Sequence, residues 1–384
     1  MSGRPARGAL RVCEVVKTLD VGGVETLLVE RLRSAAGGGT AYTVVCLRAS
    51  TAELIDRLRD AGVTVVNLGN GPRPLAAARL VTTVRRLAPD VLNVHSPMPA
   101  VVLRPFVRLS RRRPILVSTV HYSRRTGTVF AERVTSGVST ALDRLTRWLD
   151  DGTVAVSSQV ARSPSTRGAR RVLTRLHGVD VEELRHWAAR REDTRREFAV
   201  PPGAFLIACV ANFRPEKDHA LLVRAAAEVL RARPDALFLL AGEGPLRDQV
   251  ARAVERHGVA GGVRILGRVP GARRLAAAAD LVVLSSAHEA LPVVVMEALA
   301  AGVPVVSTEV GGIAELVHTG RNGILTRPGS ARDLARGLLR AMDPVVHRRL
   351  RDGASASAHS VDMAGTAEWF EDLYQSLTPA TRRG

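Results

Sequence analysis

Short runs of β-branched and other apolar residues alternate with longer amphipathic stretches along most of the chain. In its first half the apolar runs are Leu10–Val16, Tyr42–Leu47, Val63–Leu68, Val91–His95, Ile115–His121 and Thr153–Ser157. Runs such as Ile115–Val120 carry apolar residues on both faces, as expected for strands that helices cover from both sides. This alternation predicts βαβ units and a parallel sheet.

The alternation stops in an Arg-rich, polar stretch from Ser163 to about Pro202 and then starts again. The runs of the second half are Phe205–Val210, Leu237–Ala241, Val263–Leu266, Leu281–Ser285, Val303–Ser307 and Gly323–Thr326. A chain of 384 residues is also long for one hydrophobic core. We therefore predict an α/β protein of two doubly wound, Rossmann-like parallel-sheet domains that face each other across a cleft.

The domain boundaries follow from these changes of pattern. We expect a first domain over residues 1–175, an interdomain connection over 176–203 and a second domain over 204–360. Residues 361–384 form a C-terminal helix and tail, in which Trp369, Phe370, Leu373 and Tyr374 recur at helical spacing.

Composition favours a cytoplasmic protein. The longest apolar stretch, Ala290–Val306, is interrupted by two prolines, a glutamate and a glycine, so it does not predict a membrane span. The three cysteines each lie inside a β-like apolar run, and their odd number argues against a disulfide framework.

The net charge of +18 is unevenly distributed. Residues 1–190 carry 30 basic and 15 acidic side chains, whereas the remaining residues are nearly balanced. Codon bias explains part of the arginine excess, since 53 of the 55 basic residues are Arg, but it does not explain the asymmetry. A basic half is typical of proteins that bind a nucleic acid, an anionic membrane or an anionic substrate.

Two observations bear on whether the partner is a nucleic acid or an anionic membrane. Aromatic residues make up only 3% of the chain, too few for base-stacking platforms, so we expect no nucleic-acid partner. Arg111, Arg112 and Arg113 follow an apolar helix candidate, Ala100–Leu109, which leaves open a peripheral contact with an anionic inner-membrane surface. A helix packed on its own sheet, with a solvated arginine tip, accounts for the same pattern.

Two loops could receive phosphate groups. Gly22 and Gly23 follow the first strand and open a helix, where backbone N–H groups and the helix dipole favour anions, although a simple tight turn has the same pattern. The segment Ala211–Asp218 follows the first strand of the second half and contains Arg214 and Lys217. Two cations at a strand–helix junction suit a diphosphate, and a solvated capping loop is the alternative.

The strongest signal is a pair of acids near the end of the second half. Glu289 follows the predicted strand Leu281–Ser285, and Glu297 falls within an apolar helix. Because a carboxylate in such a helix is costly without partners, the two acids could accept hydrogen bonds from separate hydroxyls of one sugar-bearing ligand. In the first half, His95 and His121 end neighbouring strands and are further candidates for the site.

These residues resemble a known family. The spacing of Glu289 and Glu297, the following segments Ala301–Val306 and Val310–Glu315, and the loose matches at Gly22–Glu25 and Gly178–Asp180 are similar to retaining glycosyltransferase family 4, whose fold is GT-B. The resemblance covers nearly the whole chain.

The resemblance assigns a role to each candidate. It implies that His121 and Glu289 lie against the reacting sugar, that Ala290 and Leu291 belong to the donor site, and that Glu297 binds the ribose hydroxyls. Gly22, Gly23, Arg214 and Lys217 would hold the diphosphate. The chain departs from the family pattern in three places: Ala290 replaces a glycine, Asn212 stands where an arginine is common, and His177 replaces an asparagine.

The function implied by the resemblance is transfer of a sugar from a UDP- or GDP-sugar, with retained configuration, to a lipid-linked, polysaccharide or small-molecule acceptor. The chain has no Asp-x-Asp motif, so we expect neither a metal ion nor a cofactor. Another GT-B enzyme, such as a sugar-nucleotide epimerase or a phosphorylase, is the first alternative, and a basic nucleic-acid-binding protein is the second.

Overall fold

The computed structural model describes residues 9–20, 22–48, 50–70, 73–121, 139 and 141–378. The chain divides into two compact units. The first unit consists of residues 1–177 and 363–384, and the second of residues 178–362. Each unit is built on one parallel sheet.

The first unit contains a seven-stranded sheet in the order β3-β2-β1-β4-β5-β6-β7. Its strands are β1 (Leu10–Val16), β2 (Thr40–Cys46), β3 (Thr64–Asn67), β4 (Val91–Val94), β5 (Ile115–Val120), β6 (Gly152–Ala155) and β7 (Val172–Thr174). All neighbouring strands pair in parallel, and Glu14 of β1 lies opposite Asn93 of β4. The strand order reverses direction between β1 and β4, which is where open α/β sheets bind their ligands.

Helices cover both faces of the first sheet. The helices are α1 (Gly23–Ser34), α2 (Ala52–Asp60), α3 (Arg73–Leu87), α4 (Pro97–Leu109) and α5 (Ser158–Arg162), and residues 141–146 are also helical. The C-terminal helix, Met363–Leu377, belongs to this unit and buries Phe370 and Tyr374 in its core. Because side chains alternate along a strand, Val12 and Val16 pack on the face with α1, whereas Cys13 and Val15 pack on the face with α3 and α4.

The second unit contains a six-stranded parallel sheet in the order β10-β9-β8-β11-β12-β13. Its strands are β8 (Phe205–Val210), β9 (Ala236–Ala241), β10 (Val263–Gly267), β11 (Leu281–Leu284), β12 (Val305–Thr308) and β13 (Gly323–Thr326). The helices are α6 (Val181–Ala189), α7 (Arg191–Glu197), α8 (His219–Ala232), α9 (Arg247–Arg256), α10 (Arg273–Ala278), α11 (Val293–Ala300), α12 (Ala331–Ala341) and α13 (Pro344–Ser357). The C-terminal helix of the first unit is numbered α14 (Met363–Leu377). The two parallel sheets confirm the prediction of two Rossmann-like domains.

The polar stretch between the two strand patterns holds more structure than its composition suggested. Strand β7 lies within it and forms the edge of the first sheet, with Val172 39% exposed. Helices α6 and α7 fall in the segment expected to connect the domains, and they belong to the second unit. Asp180 caps α6, because its carboxylate accepts a hydrogen bond from the backbone N–H of Glu183 at 2.9 Å.

Candidate functional site

The candidate residues of the first unit lie at the C-terminal ends of its strands. Gly22 is the extended residue that precedes α1, and Gly23 is the first residue of that helix. His95 follows β4 and His121 follows β5. A Cβ at Gly22 would lie 2.6 Å from the Glu25 carboxylate oxygen, a flexible side-chain end, so the backbone packing there does not by itself demand glycine.

A buried carboxylate lies beneath these residues. Glu14 projects from β1 and is fully buried. Its Oε1 accepts hydrogen bonds from the Arg31 guanidinium at 2.6 Å and from the Tyr374 hydroxyl at 2.9 Å. Arg31 comes from α1 and Tyr374 from α14, so the first and the last helix of the unit meet at one carboxylate. The Tyr374 oxygen in turn accepts from the Asn93 amide at 2.8 Å.

The other oxygen of Glu14 leads to the two candidate histidines. Glu14 Oε2 lies 2.7 Å from His95 Nε2, and His95 Nδ1 lies 2.8 Å from His121 Nε2. Glu14 and His95 are buried, whereas His121 is partly exposed. The rings of His95 and His121 stack, with centroids 5.1 Å apart, and the buried ring of His177 lies 5.4 Å from that of His121. The structure thus joins the two sequence candidates through a single hydrogen bond.

The electrostatic surroundings of this network disfavour a positive charge on His121. Burial alone would raise the pKa of Glu14, but the Arg31 charge and the hydrogen bonds from His95 and Arg31 hold it at about 2. Burial, together with unfavourable electrostatic interactions with His95, His177 and Arg31, lowers the pKa of His121 well below its usual value. Burial likewise lowers the pKa of His177, to about 3. Glu14 is therefore ionised and His121 neutral near pH 7.

In the second unit the loop Ala211–Lys217 follows β8, and a neighbouring loop supports it. Phe213 N–H donates to the Glu243 carbonyl at 2.9 Å, and Leu246 N–H donates to the Phe213 carbonyl at 3.1 Å. A Cβ at Gly242 would come within 2.1 Å of the Ala211 carbonyl oxygen, and one at Gly244 within 2.5 Å of the Phe213 carbonyl oxygen. Both positions therefore require glycine for the close approach of two backbone segments.

Lys217 and Glu289 lie together at the edge where β8 and β11 end. Lys217 Nζ is 2.5 Å from Glu289 Oε1, and the Ser286 hydroxyl donates to the same oxygen at 2.7 Å. The side chain of Glu289 is 8% exposed and that of Lys217 is 22% exposed. The Ser285 hydroxyl donates to the Lys217 carbonyl at 2.8 Å, which ties the two loops together. Arg214 is exposed on the same loop as Lys217.

Glu297 occupies an ion-paired position. It lies on α11 with its side chain 10% exposed, and its Oε1 is 3.3 Å from Arg273 Nε. Arg273, at the start of α10, also pairs with Glu183 of α6 at 2.8 Å. The cost of placing a carboxylate in an apolar helix is thus offset by a cation, as the sequence argument required. Ala290 and Leu291 are partly exposed between the two acids, and the Ala290 carbonyl accepts from Gly312 N–H at 3.1 Å.

Several members of these clusters were not predicted from the sequence, among them Glu14, Arg31, Tyr374 and Arg273. Glu14 gave a readable signal, because a carboxylate inside the apolar run Leu10–Val16 needs a partner once the strand is buried. Its partners are up to 360 residues away in the chain, and no local pattern links them to it.

The helix considered for membrane contact packs largely on its own sheet. Leu103 and Val107 of α4 are buried in the core, and Phe106 packs against it. Leu109 is 87% exposed at the end of this helix, and Arg111, Arg112 and Arg113 are exposed beside it. None of the helices in the described part of the chain has the length and apolar character that crossing a membrane requires.

Comparison with known proteins defines the class to which this fold and these residues belong. A family model described as "Glycosyltransferase Family 4" matches residues 21–183, and one described as "Glycosyl transferases group 1" matches residues 190–352. Two parallel-sheet Rossmann-like domains with this pair of matches define a GT-B glycosyltransferase. The chain belongs to glycosyltransferase family 4, which confirms the resemblance seen in the sequence.

Relatives with assigned names are similar over different shares of their length. The chain is 25% identical to N-acetyl-α-D-glucosaminyl L-malate synthase of Bacillus anthracis over 290 residues, which is 74% of this chain and 73% of the relative. It is 33% identical to D-inositol 3-phosphate glycosyltransferase of Corynebacterium kroppenstedtii over 224 residues, 54% of this chain and 48% of the relative.

A solved structure shows the same fold. HepE of Anabaena, crystallised with UDP-glucose, aligns with a TM-score of 0.81 at 20% sequence identity, covering 96% of this chain and all of HepE. At this identity the likeness establishes the GT-B fold of the chain.

Proposed function

We propose that this glycosyltransferase moves a sugar from a nucleoside-diphosphate sugar to an acceptor hydroxyl with retained anomeric configuration, and that it uses neither a metal ion nor a cofactor. The observation that carries the proposal is the Lys217–Glu289 pair with Ser286, at the strand edge of the second unit and beside the exposed Arg214. It combines a cation for a leaving diphosphate with a carboxylate for a sugar hydroxyl.

In this proposal the second unit binds the donor. Lys217 and Arg214 balance the charge of the diphosphate as the bond to the sugar breaks, and the Gly22–Gly23 amides at the start of α1 contribute further donors. The hydrogen bonds from Lys217 and Ser286 both reach Oε1 of Glu289, which supports a role for Oε2 as the acceptor of a hydroxyl of the donor sugar. Ala290 and Leu291 line the sugar site, and Glu297 accepts hydrogen bonds from the ribose hydroxyls.

The donor that we favour is a UDP- or GDP-sugar. HepE, which shares the fold, was crystallised with UDP-glucose, and this supports UDP-glucose as the first donor to test. The relatives named for L-malate and inositol 3-phosphate support a small hydroxylated acceptor rather than a polysaccharide.

The first unit binds the acceptor in this proposal, with His121 against the reacting sugar. A pocket beside the histidine network is lined by His95, Ser96, Thr119, Val120 and Arg147. Arg147 is buried and pairs with Asp143. The pocket's cavity volume of about 10 Å³ holds about one water molecule, so these residues contribute part of a wall in this proposal and do not enclose the acceptor.

A thermal-shift screen of UDP-, GDP- and ADP-sugars tests the donor assignment, because a ligand that binds only the folded state raises Tm. We expect one nucleotide series to raise Tm, and Lys217→Ala to reduce that increase. NMR of the anomeric proton in the isolated product then tests retention. A product of opposite anomeric configuration to the donor would refute the retaining mechanism, and no stabilisation by any nucleotide sugar would refute the donor class.

As a separate part of the proposal, the enzyme is cytoplasmic and makes a peripheral contact with the anionic inner surface of the membrane. This part rests on the exposed residues Leu109, Arg111, Arg112 and Arg113. Each cation near an anionic surface contributes about 1 kcal/mol. Co-sedimentation with phosphatidylserine vesicles should weaken with added salt and in an Arg111/Arg112/Arg113→Glu variant. Binding that is insensitive to both, or no binding, would refute the contact.

A further inference from the structure

A groove in the second unit lies along the edge strand β13 and beside α12. It has a volume of about 260 Å³ and is lined by residues 324–326, Arg327, Asp333, Arg336, Gly337 and Arg340. This volume approaches the lower end of the ~300–1,000 Å³ found for small-molecule sites. β13 stands at one end of the sheet, and β12 separates it from β11, the strand that precedes Glu289. The groove therefore shares no residue with the proposed donor site.

The groove exists because α12 packs closely on the sheet. Leu334 and Leu338 are buried on the inner face of this helix. A Cβ at Gly337 would lie 2.8 Å from Thr326 Cγ2 and 3.2 Å from Val306 Cγ1, so a glycine lets the helix approach β12 and β13. The edge of β13 and the outer side of α12 then form the two walls of the groove.

The outer side of α12 carries a row of arginines. Arg332, Arg336 and Arg340 are exposed and recur at four-residue spacing, where like charges repel each other. The helix dipole favours Arg340 in the last turn and disfavours Arg332 in the first. The stability of the helix alone therefore does not account for the row.

The charge of the groove is only partly balanced within the chain. Its lining carries three guanidinium groups and one carboxylate, which gives a net charge of +2. Arg327 Nε donates to Asp333 Oδ2 at 2.8 Å, and Arg336 Nη1 lies 3.7 Å from Asp333 Oδ1. Arg340 has no carboxylate partner among the described residues. The distant contact of Arg336 and the position of Arg340 leave both guanidinium groups available to an anion.

The edge of β13 is a poor place for an added peptide strand, because the chain itself covers part of it. Thr319 forms a bridge with Gly323, and its Oγ1 accepts a hydrogen bond from Leu325 N–H at 2.9 Å. A peptide that paired with β13 would have to displace this turn. The groove is therefore better suited to a small molecule.

Phosphate monoesters have the charge and the geometry that the groove requires. Such a group carries about −1.5 to −2 charge near pH 7, which balances the +2 of the lining. The planar donors of arginine bind phosphate oxygens in pairs. Leu325, which is partly exposed, and Gly337 leave room beside the arginines for the rest of the molecule.

We propose that the groove between β13 and α12 binds a small organic phosphate monoester, with Arg336 and Arg340 as the phosphate ligands. Arg327, held by Asp333, completes the rim of the site. This inference goes beyond the proposed transferase reaction, and no step of that reaction depends on it.

The test is a titration of the ¹⁵N-labelled full chain, followed by amide chemical shifts, with glucose 6-phosphate as the probe ester. The amides of Thr326, Gly337 and Arg340 should shift in a saturable way. Glucose and sodium chloride of matched ionic strength should leave these amides unchanged. Glucose 6-phosphate should also bind more tightly than inorganic phosphate, because only the ester can contact Leu325. No saturable shift, or equal affinity for the ester and inorganic phosphate, would overturn the proposal.

A pair of double variants separates a defined site from general attraction by a basic surface. Arg336→Ala/Arg340→Ala should raise Kd for glucose 6-phosphate about 10-fold or more. Arg348→Ala/Arg349→Ala is the matched control, because it removes two exposed arginines from the neighbouring helix α13 and neither lines the groove. It should leave Kd within about twofold of the wild-type value. Equal effects of the two double variants would overturn the site.

A third variant distinguishes the groove from the donor loop, since Lys217 could also attract a phosphate. Binding of glucose 6-phosphate should persist in Lys217→Ala, and the Lys217 amide should not shift in the wild type. Loss of binding in Lys217→Ala, with normal binding in Arg336→Ala/Arg340→Ala, would place the ester at the donor loop and overturn the proposal. Because this titration needs no nucleotide sugar, its outcome is independent of the thermal-shift test of the proposed function.

Discussion

Replacing Glu297 with alanine should weaken donor binding while the protein still folds. The structure shows why folding survives: Arg273, which pairs with Glu297 at 3.3 Å, keeps a second carboxylate, Glu183, at 2.8 Å. A buried arginine left without any counter-charge would cost about 3–5 kcal/mol. Because one partner remains, we expect a loss of about 1–3 kcal/mol in the free energy of unfolding.

The loss of donor affinity follows from the proposed contact with the ribose. Removing a charged acceptor of hydrogen bonds costs about 1.5–3 kcal/mol, which corresponds to roughly a 10- to 150-fold rise in Kd. Isothermal titration calorimetry with UDP and UDP-glucose measures this change directly. Both ligands should be affected equally, because both contain the ribose.

Glu183→Ala is the matched control, since it removes the other carboxylate from the same arginine. The Glu183 side chain is 35% exposed and lies on α6, so its loss should lower stability and leave donor affinity unchanged. If Glu183→Ala weakens UDP binding as much as Glu297→Ala does, the effect passes through Arg273 and the ribose assignment is wrong. Unchanged affinity in folded Glu297→Ala would remove Glu297 from the site.

Three further outcomes are expected. Lys217→Ala and Arg214→Ala should each lower kcat as well as donor affinity, because negative charge on the diphosphate grows in the transition state. Lys217→Arg should not fully restore turnover. If Arg214→Ala matches the wild type in steady-state kinetics, Arg214 does not belong to the diphosphate site. Gly244→Ala should lower Tm and donor affinity, because its Cβ would press on the Phe213 carbonyl at 2.5 Å; an unchanged Tm would contradict the close approach. Tm should fall as the pH is lowered from 7.5 to 5, because His177 takes up a proton near pH 6.5 in the unfolded state, whereas its pKa in the folded state is about 3. The dependence of Tm on pH should be weaker in His177→Phe. An equal dependence in both proteins would refute the lowered pKa of His177.

The strands were predictable because their signal is local. Mainly apolar runs such as Ile115–Val120 are fully buried in the structure, and their length and composition already distinguish them from helices. Strand β7 carried no such signal. It is three residues long, lies between Arg171 and Arg175, and has one strand neighbour, so most of its side-chain surface remains exposed and polar flanks are tolerated.

The placement of the C-terminal helix could be predicted only in part. Its apolar periodicity indicated a packed helix, but periodicity does not say which surface the helix covers. The structure places it against α1 in the first unit, where the Phe370 ring lies 4.2 Å beneath the Arg31 guanidinium. The deciding partners, Arg31 and Glu14, are buried charges whose need for each other arises only after the sheet has formed.

The partners of the candidate acids Glu289 and Glu297 could not be predicted from the sequence either. Their positions also suggest why the loop Ala211–Lys217 carries a lysine. Sequence rules require a partner for a buried carboxylate without naming it, and the structure supplies Lys217 for Glu289 and Arg273 for Glu297. In the proposed donor site, Lys217 would meet a diphosphate with one N–H already directed to Glu289. An ammonium has three N–H groups that diverge from one atom, so two remain for phosphate oxygens without loss of the Glu289 contact. A planar guanidinium directs its donors within one plane and would have to choose between the carboxylate and an out-of-plane phosphate. The pairing with Glu289 is thus a physical reason for one of only two lysines in a chain with 53 arginines.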